Sequence, residues 1–216
     1  MIETPPLVYV VDDEPSVCVS LKRLFHSIGL EARTYTSAQE FLGSERPDAP
    51  GCLVLDVRLP GLSGLDLQQE LAAAKTALPV IFITGHGDIP LSVRAMKAGA
   101  VEFLTKPFRE QELLEAVQRG IHESRILRQH QAVLRLLQKR YASLTPRERE
   151  VFPRVTSGSP NKQIAADLGA SEKTIKVHRG QVMQKMKAES LADLIRMAIR
   201  LGLQSNPSRT PGTKVP

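Results

Sequence analysis

Cys52-Leu53-Val54-Leu55-Asp56 is the stretch on which the fold turns. Four apolar residues run without a break and stop at a carboxylate. Such a run fits a strand covered on both faces, the condition of strands in a parallel sheet. Pro79-Val80-Ile81-Phe82-Ile83-Thr84 repeats the pattern and again ends on a polar side chain. Leu7–Val11, Leu30–Tyr35 and Val101–Leu104 read as three further strands. Amphipathic segments lie between them, near Pro15–Ile28, Ser37–Leu42, Gly64–Ala74 and Ile89–Ala98, and a fifth begins near Glu110. Strands alternating with helices in this way predict an α/β, doubly wound parallel sheet.

Ligands of such sheets sit outside the carboxyl ends of the strands. Polar residues gather there. Asp12 and Asp13 follow the first strand, Asp56 the third, Thr84 ends the fourth, and Lys106 follows the fifth. If the first, third, fourth and fifth strands are neighbours, one crevice collects three carboxylates, a hydroxyl and an ammonium. Three carboxylates repel one another, and a hard divalent cation such as Mg²⁺ relieves the repulsion. A carboxylate can attack phosphorus to form an acyl phosphate. Lys106 and Thr84 can then stabilise the charge on the phosphoryl oxygens.

In order and spacing, Val11-Asp12-Asp13-Glu14, Leu53-Val54-Leu55-Asp56, Pro60-Gly61-Leu62-Ser63-Gly64, Ile83-Thr84-Gly85-His86 and Lys106-Pro107-Phe108 resemble the signature of the receiver domain. The resemblance spans about residues 6–124. It implies a flavodoxin-like fold with strand order 2-1-3-4-5 and Asp56 as phosphoacceptor. It implies Mg²⁺ held by Asp13, Asp56 and the backbone carbonyl of Arg58, with Asp12 helping. Thr84 and Lys106 would bind the phosphoryl group, and Phe103 matches the aromatic switch residue. It also implies a cis Lys106–Pro107 bond, and a role for Arg58 and His86 in shielding the acyl phosphate from water. Haloacid-dehalogenase-type phosphatases are the rival, because they also use Asp, Mg²⁺, Thr and Lys. They need a second Asp two residues after the nucleophile; here Arg58 stands in that place.

After Phe108 no strand pattern remains. Glu110 to about Arg140 reads as one long helix or two in sequence, with Leu113, Val117, Ile121, Leu127, Leu134, Leu137 and Tyr141 as an apolar stripe. Four short helices follow. Thr145-Pro146-Arg147-Glu148 is a capping box; Ser159-Pro160, Ser171 and Ser190 are further expected starts, and Gly169 an expected stop. The tail from Ser205 to Pro216 is expected to be disordered.

Charge divides the 216 residues unevenly. Residues 1–124 carry 11 Lys/Arg against 17 Asp/Glu, a net of −6; residues 125–216 carry 18 against 6, a net of +12. A basic half suggests a polyanionic partner, nucleic acid first. No apolar run approaches the ~18 residues of a membrane span. No secretory leader is visible at Met1–Pro6. Cys18 and Cys52 lack metal-ligand spacing and suit a reducing compartment, so a cytoplasmic protein is expected.

Asn161–Gly169 and Ser171–Lys187 read as a helix-turn-helix whose second helix enters the major groove. Lys173, Thr174, Lys176, Val177, His178 and Arg179 crowd its first turns and are the candidate DNA contacts. Leu144-Thr145-Pro146-Arg147-Glu148-Arg149-Glu150-Val151, Asn161-Lys162-Gln163-Ile164-Ala165 and Thr174-Ile175-Lys176-Val177-His178-Arg179 resemble the LuxR/NarL-type DNA-binding domain. Pro153 and Gly180 depart from that pattern.

Together the halves resemble a FixJ/NarL-type two-component response regulator, similar to the StyR-like regulators. The organisation expected is a receiver over 1–124, a helical linker over 125–141, a helix-turn-helix domain over 142–204 and a tail over 205–216. The resemblance implies phosphorylation by a cognate histidine kinase, a homodimer formed on phosphorylation, binding to double-stranded DNA, and contact with RNA polymerase. It implies no membrane partner, and no enzyme activity beyond the receiver's own phosphorylation and dephosphorylation. A receiver acting only through protein contacts is the third class of reading; salt-dependent DNA binding would argue against it.

Overall fold

The computed structural model describes residues 4–85 and 89–203; His86 and the tail from Ser205 to Pro216 lie outside them. Five strands, β1 (Leu7–Val11), β2 (Glu31–Tyr35), β3 (Gly51–Asp56), β4 (Val80–Thr84) and β5 (Glu102–Thr105), form one parallel sheet in the order β2-β1-β3-β4-β5. Every residue of β1, β3 and β4 is buried. β2 lies at an edge and alternates, with Ala32 and Tyr35 buried and Glu31 and Arg33 exposed.

Side chains of successive strand residues point to opposite faces. Leu7, Tyr9, Val11, Leu53, Leu55 and Phe82 therefore share one face of the sheet. It is covered by α2 (Ala38–Gly43), α3 (Gly64–Ala73) and α4 (Ile89–Lys97) through Phe41, Leu67 and Ala95. Val8, Val10, Cys52, Val54, Ile81 and Ile83 share the other. There α1 (Pro15–Ser27) supplies Phe25, and α5 (Glu110–Ala142) supplies Leu113, Val117 and Ile121. Burial pushes the Cys52 thiol up to about 12, so it is a small apolar side chain in this layer.

A single glycine interrupts the helical pattern of α5, and the packing gives the reason. A Cβ on Gly120 would lie 2.9 Å from the Cβ of Cys52. One turn on, the buried Ser124 hydroxyl donates to the Ala77 carbonyl at 2.8 Å and accepts from the Gly51 N–H at 3.2 Å. These contacts hold α5 across the lower ends of β3 and β4. Beyond them the stripe changes partners: Leu127 is exposed, whereas Tyr141 meets Phe152 edge-on at 5.3 Å. Arg140 donates to the Met186 carbonyl at 3.1 Å. The last turn of α5 thus belongs to the C-terminal core. By internal contacts the chain divides after Gln129.

That second unit holds α6 (Pro146–Thr156), α7 (Asn161–Leu168), α8 (Glu172–Met186) and α9 (Leu191–Arg200) around Phe152, Ile164, Ile175, Val182, Met186 and Leu194. Thr145, Ser171 and Ser190 cap their helices through side-chain oxygens, and Gly169 ends α7 at φ 61°. Ser159 does not cap α7, contrary to expectation. Pro160 takes that position without a side-chain bond, and the Ser159 hydroxyl lies 3.4 Å from that of Ser157. Pro153 sits inside α6, which continues through it. The carbonyl deprived of a donor is that of the exposed Arg149, where water can serve.

Glu148 ties the capping box to α8. Its side chain is buried, accepts from the Thr145 N–H at 2.8 Å, and takes two contacts from Lys185 Nζ at 2.7 and 2.9 Å. Burial works to raise its carboxyl, but the hydrogen bonds from Lys185 and Thr145 outweigh it and hold the group below the ordinary glutamate value. A depressed folded value stabilises the fold above the unfolded value, and this is lost as pH falls through the folded one. Glu148→Gln is therefore expected to cost about 1–3 kcal/mol at neutral pH. The cost fades below the usual carboxylate range. Unfolding followed against pH checks this; a pH-independent cost would assign the effect to packing.

Candidate functional site

The strand register assembles the site. Val11 pairs with Leu55 and Asp56 with Ile83, so Asp12, Asp56 and Thr84 emerge side by side at the upper ends of β1, β3 and β4. The Lys106 N–H donates to the Thr84 carbonyl at 2.7 Å and carries its own side chain into the same crevice. The Lys106–Pro107 bond is cis, as expected.

Asp12 is fully buried, Asp56 is 6% exposed and Thr84 1%, whereas Asp13 is exposed. Lys106 Nζ lies 2.7 Å from Asp12 Oδ2, 3.1 Å from Asp56 Oδ2 and 3.7 Å from Glu14 Oε1. The other oxygens of the two buried carboxylates accept backbone donors: Asp12 Oδ1 from Glu14 N–H at 3.0 Å, Asp56 Oδ1 from Arg58 N–H at 3.1 Å. Burial raises the Asp12 carboxyl above its ordinary value, against the pull of Lys106 and the Glu14 N–H. Burial also works to lower the Lys106 ammonium, but its hydrogen bonds to Asp12 and Asp56 prevail and hold it above the ordinary value. The lysine is thus a fixed cation in a crevice of acids.

Asp12, Asp13 and Asp56 each bring a carboxylate oxygen within 4.8 Å of the others. Hard oxygen donors so close together suit a small divalent cation. Arg58 turns its side chain to solvent. Phe103 is half-buried on β5, 6.2 Å from Phe82 between ring centroids, on the face that α4 covers. Glu14, quoted in the motif but given no role, proves to be the third acid around Lys106.

On the second unit, Lys173, Thr174, Lys176 and Val177 are exposed on the first turns of α8, and His178 and Arg179 are half-buried. The Thr174 hydroxyl is 2.7 Å from that of Ser171, so it takes part in the cap. Four cations of this unit have acidic partners: Arg147 with Glu150, Arg154 with Asp167, Lys185 with Glu148, Arg196 with Asp193. Among the described residues, Lys173, Lys176 and Arg179 form no ion pair.

Residues 8–118 match the response regulator receiver domain family, and residues 142–198 match the luxR family of bacterial regulatory proteins. The chain belongs to the two-component response regulators with a LuxR-type DNA-binding domain. The regulator is 54% identical to nodulation protein W of Bradyrhizobium diazoefficiens, over 94% of this chain and 89% of that one. It is 45% identical to the response regulator TodT of Pseudomonas putida, over 93% and 88%. The solved structure of the response regulator StyR superposes with a TM-score of 0.76 at 47% identity, over 91% and 100%. Full-length FixJ from B. japonicum gives 0.53 at 40%, over 92% and 98%. Regulators built this way are transcription factors rather than classical enzymes. Among the described residues, no helix is long and apolar enough to cross a membrane.

Proposed function

We propose that this cytoplasmic regulator accepts a phosphoryl group on Asp56 from a cognate histidine kinase, then pairs with a second copy and binds specific duplex DNA to control transcription. The observation that carries the reading is the Asp56 carboxylate itself. It lies at the end of β3, in contact with Lys106 and beside two further carboxylates. One carboxylate oxygen attacks phosphorus; the bond from phosphorus to the donor breaks, and the donor leaves with the electron pair. Lys106 already stands beside the Asp56 carboxylate, where its ammonium can meet the charge on the phosphoryl oxygens, and Thr84 stands at the neighbouring strand end.

Mg²⁺ fits the donor set. Asp13, Asp56 and the Arg58 carbonyl would hold it, with Asp12 helping. When bound it neutralises charge shared between carboxylates and phosphoryl oxygens. Phe103 is the proposed switch residue, three residues before Lys106 and on the face of the sheet that α4 covers. On that helix Ile89, Val93 and Met96 are exposed, which supports α4 and β5 as the pairing surface. RNA polymerase is the further partner proposed.

Lys173, Thr174, Lys176, Val177, His178 and Arg179 are the proposed DNA contacts. Lys176 can donate to guanine acceptors, and Val177, 58% exposed, can pack on a thymine methyl. Gly180 offers neither contact. Lys176→Ala is therefore expected to cost about 1–3 kcal/mol at the preferred site and to relax one base position. Selection from a randomised duplex pool, with the chain treated with acetyl phosphate and Mg²⁺, checks this. An unchanged base preference would show that another face of α8 does the reading.

A further inference from the structure

Asn161 opens α7 and belongs to the LuxR-type motif. Asparagine at a helix start ordinarily caps the helix from the position before the first turn. Here Pro160 occupies that position, and Asn161 lies one residue inside. Its side chain is half-buried and turns to the next helix. Asn161 Oδ1 accepts a hydrogen bond from Arg179 Nη1 at 3.2 Å, across 18 residues of sequence. This links the side chains of the two helices of the helix-turn-helix.

The chemistry of the partner matters. Arg179 is one of three cations on α8 that form no ion pair among the described residues, whereas the fourth, Lys185, is matched with Glu148. A carboxylate at position 161 would hold the guanidinium more tightly, and would also cancel its charge. A neutral amide fixes one nitrogen of the guanidinium and leaves its charge and remaining donors available. A long arginine loses much rotamer freedom when it engages a phosphate, and a side chain already held pays less of that cost on binding.

We propose that Asn161 is the positioning residue for Arg179, holding its guanidinium ready for a DNA phosphate without neutralising it. The inference rests on the reading of α8 as the DNA-binding helix. Asn161 itself need not touch DNA.

The test uses the full chain, treated with acetyl phosphate and Mg²⁺, and a random-sequence DNA duplex titrated at several salt concentrations. Four variants enter: Asn161→Ala, Arg179→Ala, the double variant, and Asn161→Asp. Asn161→Ala is expected to weaken binding about three- to tenfold, the range of one ordinary hydrogen bond. That loss is expected to vanish in the Arg179→Ala background, since there is nothing left to position. Asn161→Asp separates positioning from folding. An acid in the first turn of a helix is favourable for the helix, so the melting temperature is expected to hold or rise. Binding is expected to fall all the same, and the salt slope to drop by about one as the new carboxylate cancels Arg179. Additive losses for Asn161→Ala and Arg179→Ala would overturn the proposal, as would an Asn161→Asp variant with unchanged affinity and slope. Should Arg179→Ala alone leave affinity and salt slope untouched, the assignment of Arg179 to DNA fails first and the inference with it.

Discussion

Asp56→Asn is expected to abolish labelling by acetyl phosphate in the presence of Mg²⁺. Asparagine matches aspartate in shape, and an amide oxygen can still accept the N–H of Arg58 that now binds Asp56 Oδ1. The fold of β3 is therefore expected to survive. Reactivity is not: a neutral amide is a far poorer nucleophile than a carboxylate. It is also a poor partner for Lys106, which lies 3.1 Å from Oδ2. Asp13 provides the contrast. It is exposed and, among the described residues, forms no ion pair with Lys106, so Asp13→Asn is expected to slow labelling and weaken its Mg²⁺ dependence while leaving the acceptor intact. Incorporated phosphate, measured by intact mass, separates the two. Undiminished labelling of Asp56→Asn would remove Asp56 as acceptor, and with it the reading of the crevice.

The acidic crevice was legible because its members sit where a parallel sheet must present them. Strands that lead into Asp12 and end on Asp56 and Thr84 announce their chemistry by position in the chain, and the continuous apolar runs of β3 and β4 announce burial on both faces. Geometry beyond that was hidden. Glu14 follows Asp12 and Asp13 in the motif, but only the approach of Lys106 shows that it stands third among that ammonium's acids. Ser159 looked like a cap because serine before proline is a common helix start; backbone turning at Gly158, with φ at 85°, moved the helix one residue on. Leu127, Leu134 and Tyr141 belong to one apolar stripe by spacing, yet Leu127 is exposed and Tyr141 packs on Phe152. Periodicity reports which residues share a face, not which core that face joins. Asn161 was invisible for a related reason, since a pair 18 residues apart leaves no local pattern.

Gly64→Ala carries the second large effect, and it links the packing of α3 to the chemistry of Asp56. A Cβ at position 64 would lie 2.2 Å from the carbonyl oxygen of Asp56 and 3.1 Å from the Cα of Val57. Both neighbours are backbone, so no rotamer change relieves the clash. The Gly64 N–H is also bonded to the Val57 carbonyl at 3.0 Å, which holds the start of α3 against the end of β3. Something must move, and the movable piece is the segment that carries the acceptor carboxylate. The expected cost is about 3 kcal/mol or more, the upper range for overpacking a tight site. Hydrogen exchange of the β1 and β3 amides reads it in the receiver unit alone. Where Gly64→Ala still folds, its labelling by acetyl phosphate is expected to fall roughly tenfold or more, because a shift of about 1 Å in a reacting group is enough. Gly180→Ala is the control for glycine replacement as such: nothing lies within 4 Å of an added Cβ there, and alanine is expected to stabilise α8 by about 1 kcal/mol. Were Gly64→Ala to keep both its exchange protection and its labelling rate, α3 could withdraw from β3 without disturbing Asp56, and the close approach at Gly64 would have no part in holding the acceptor.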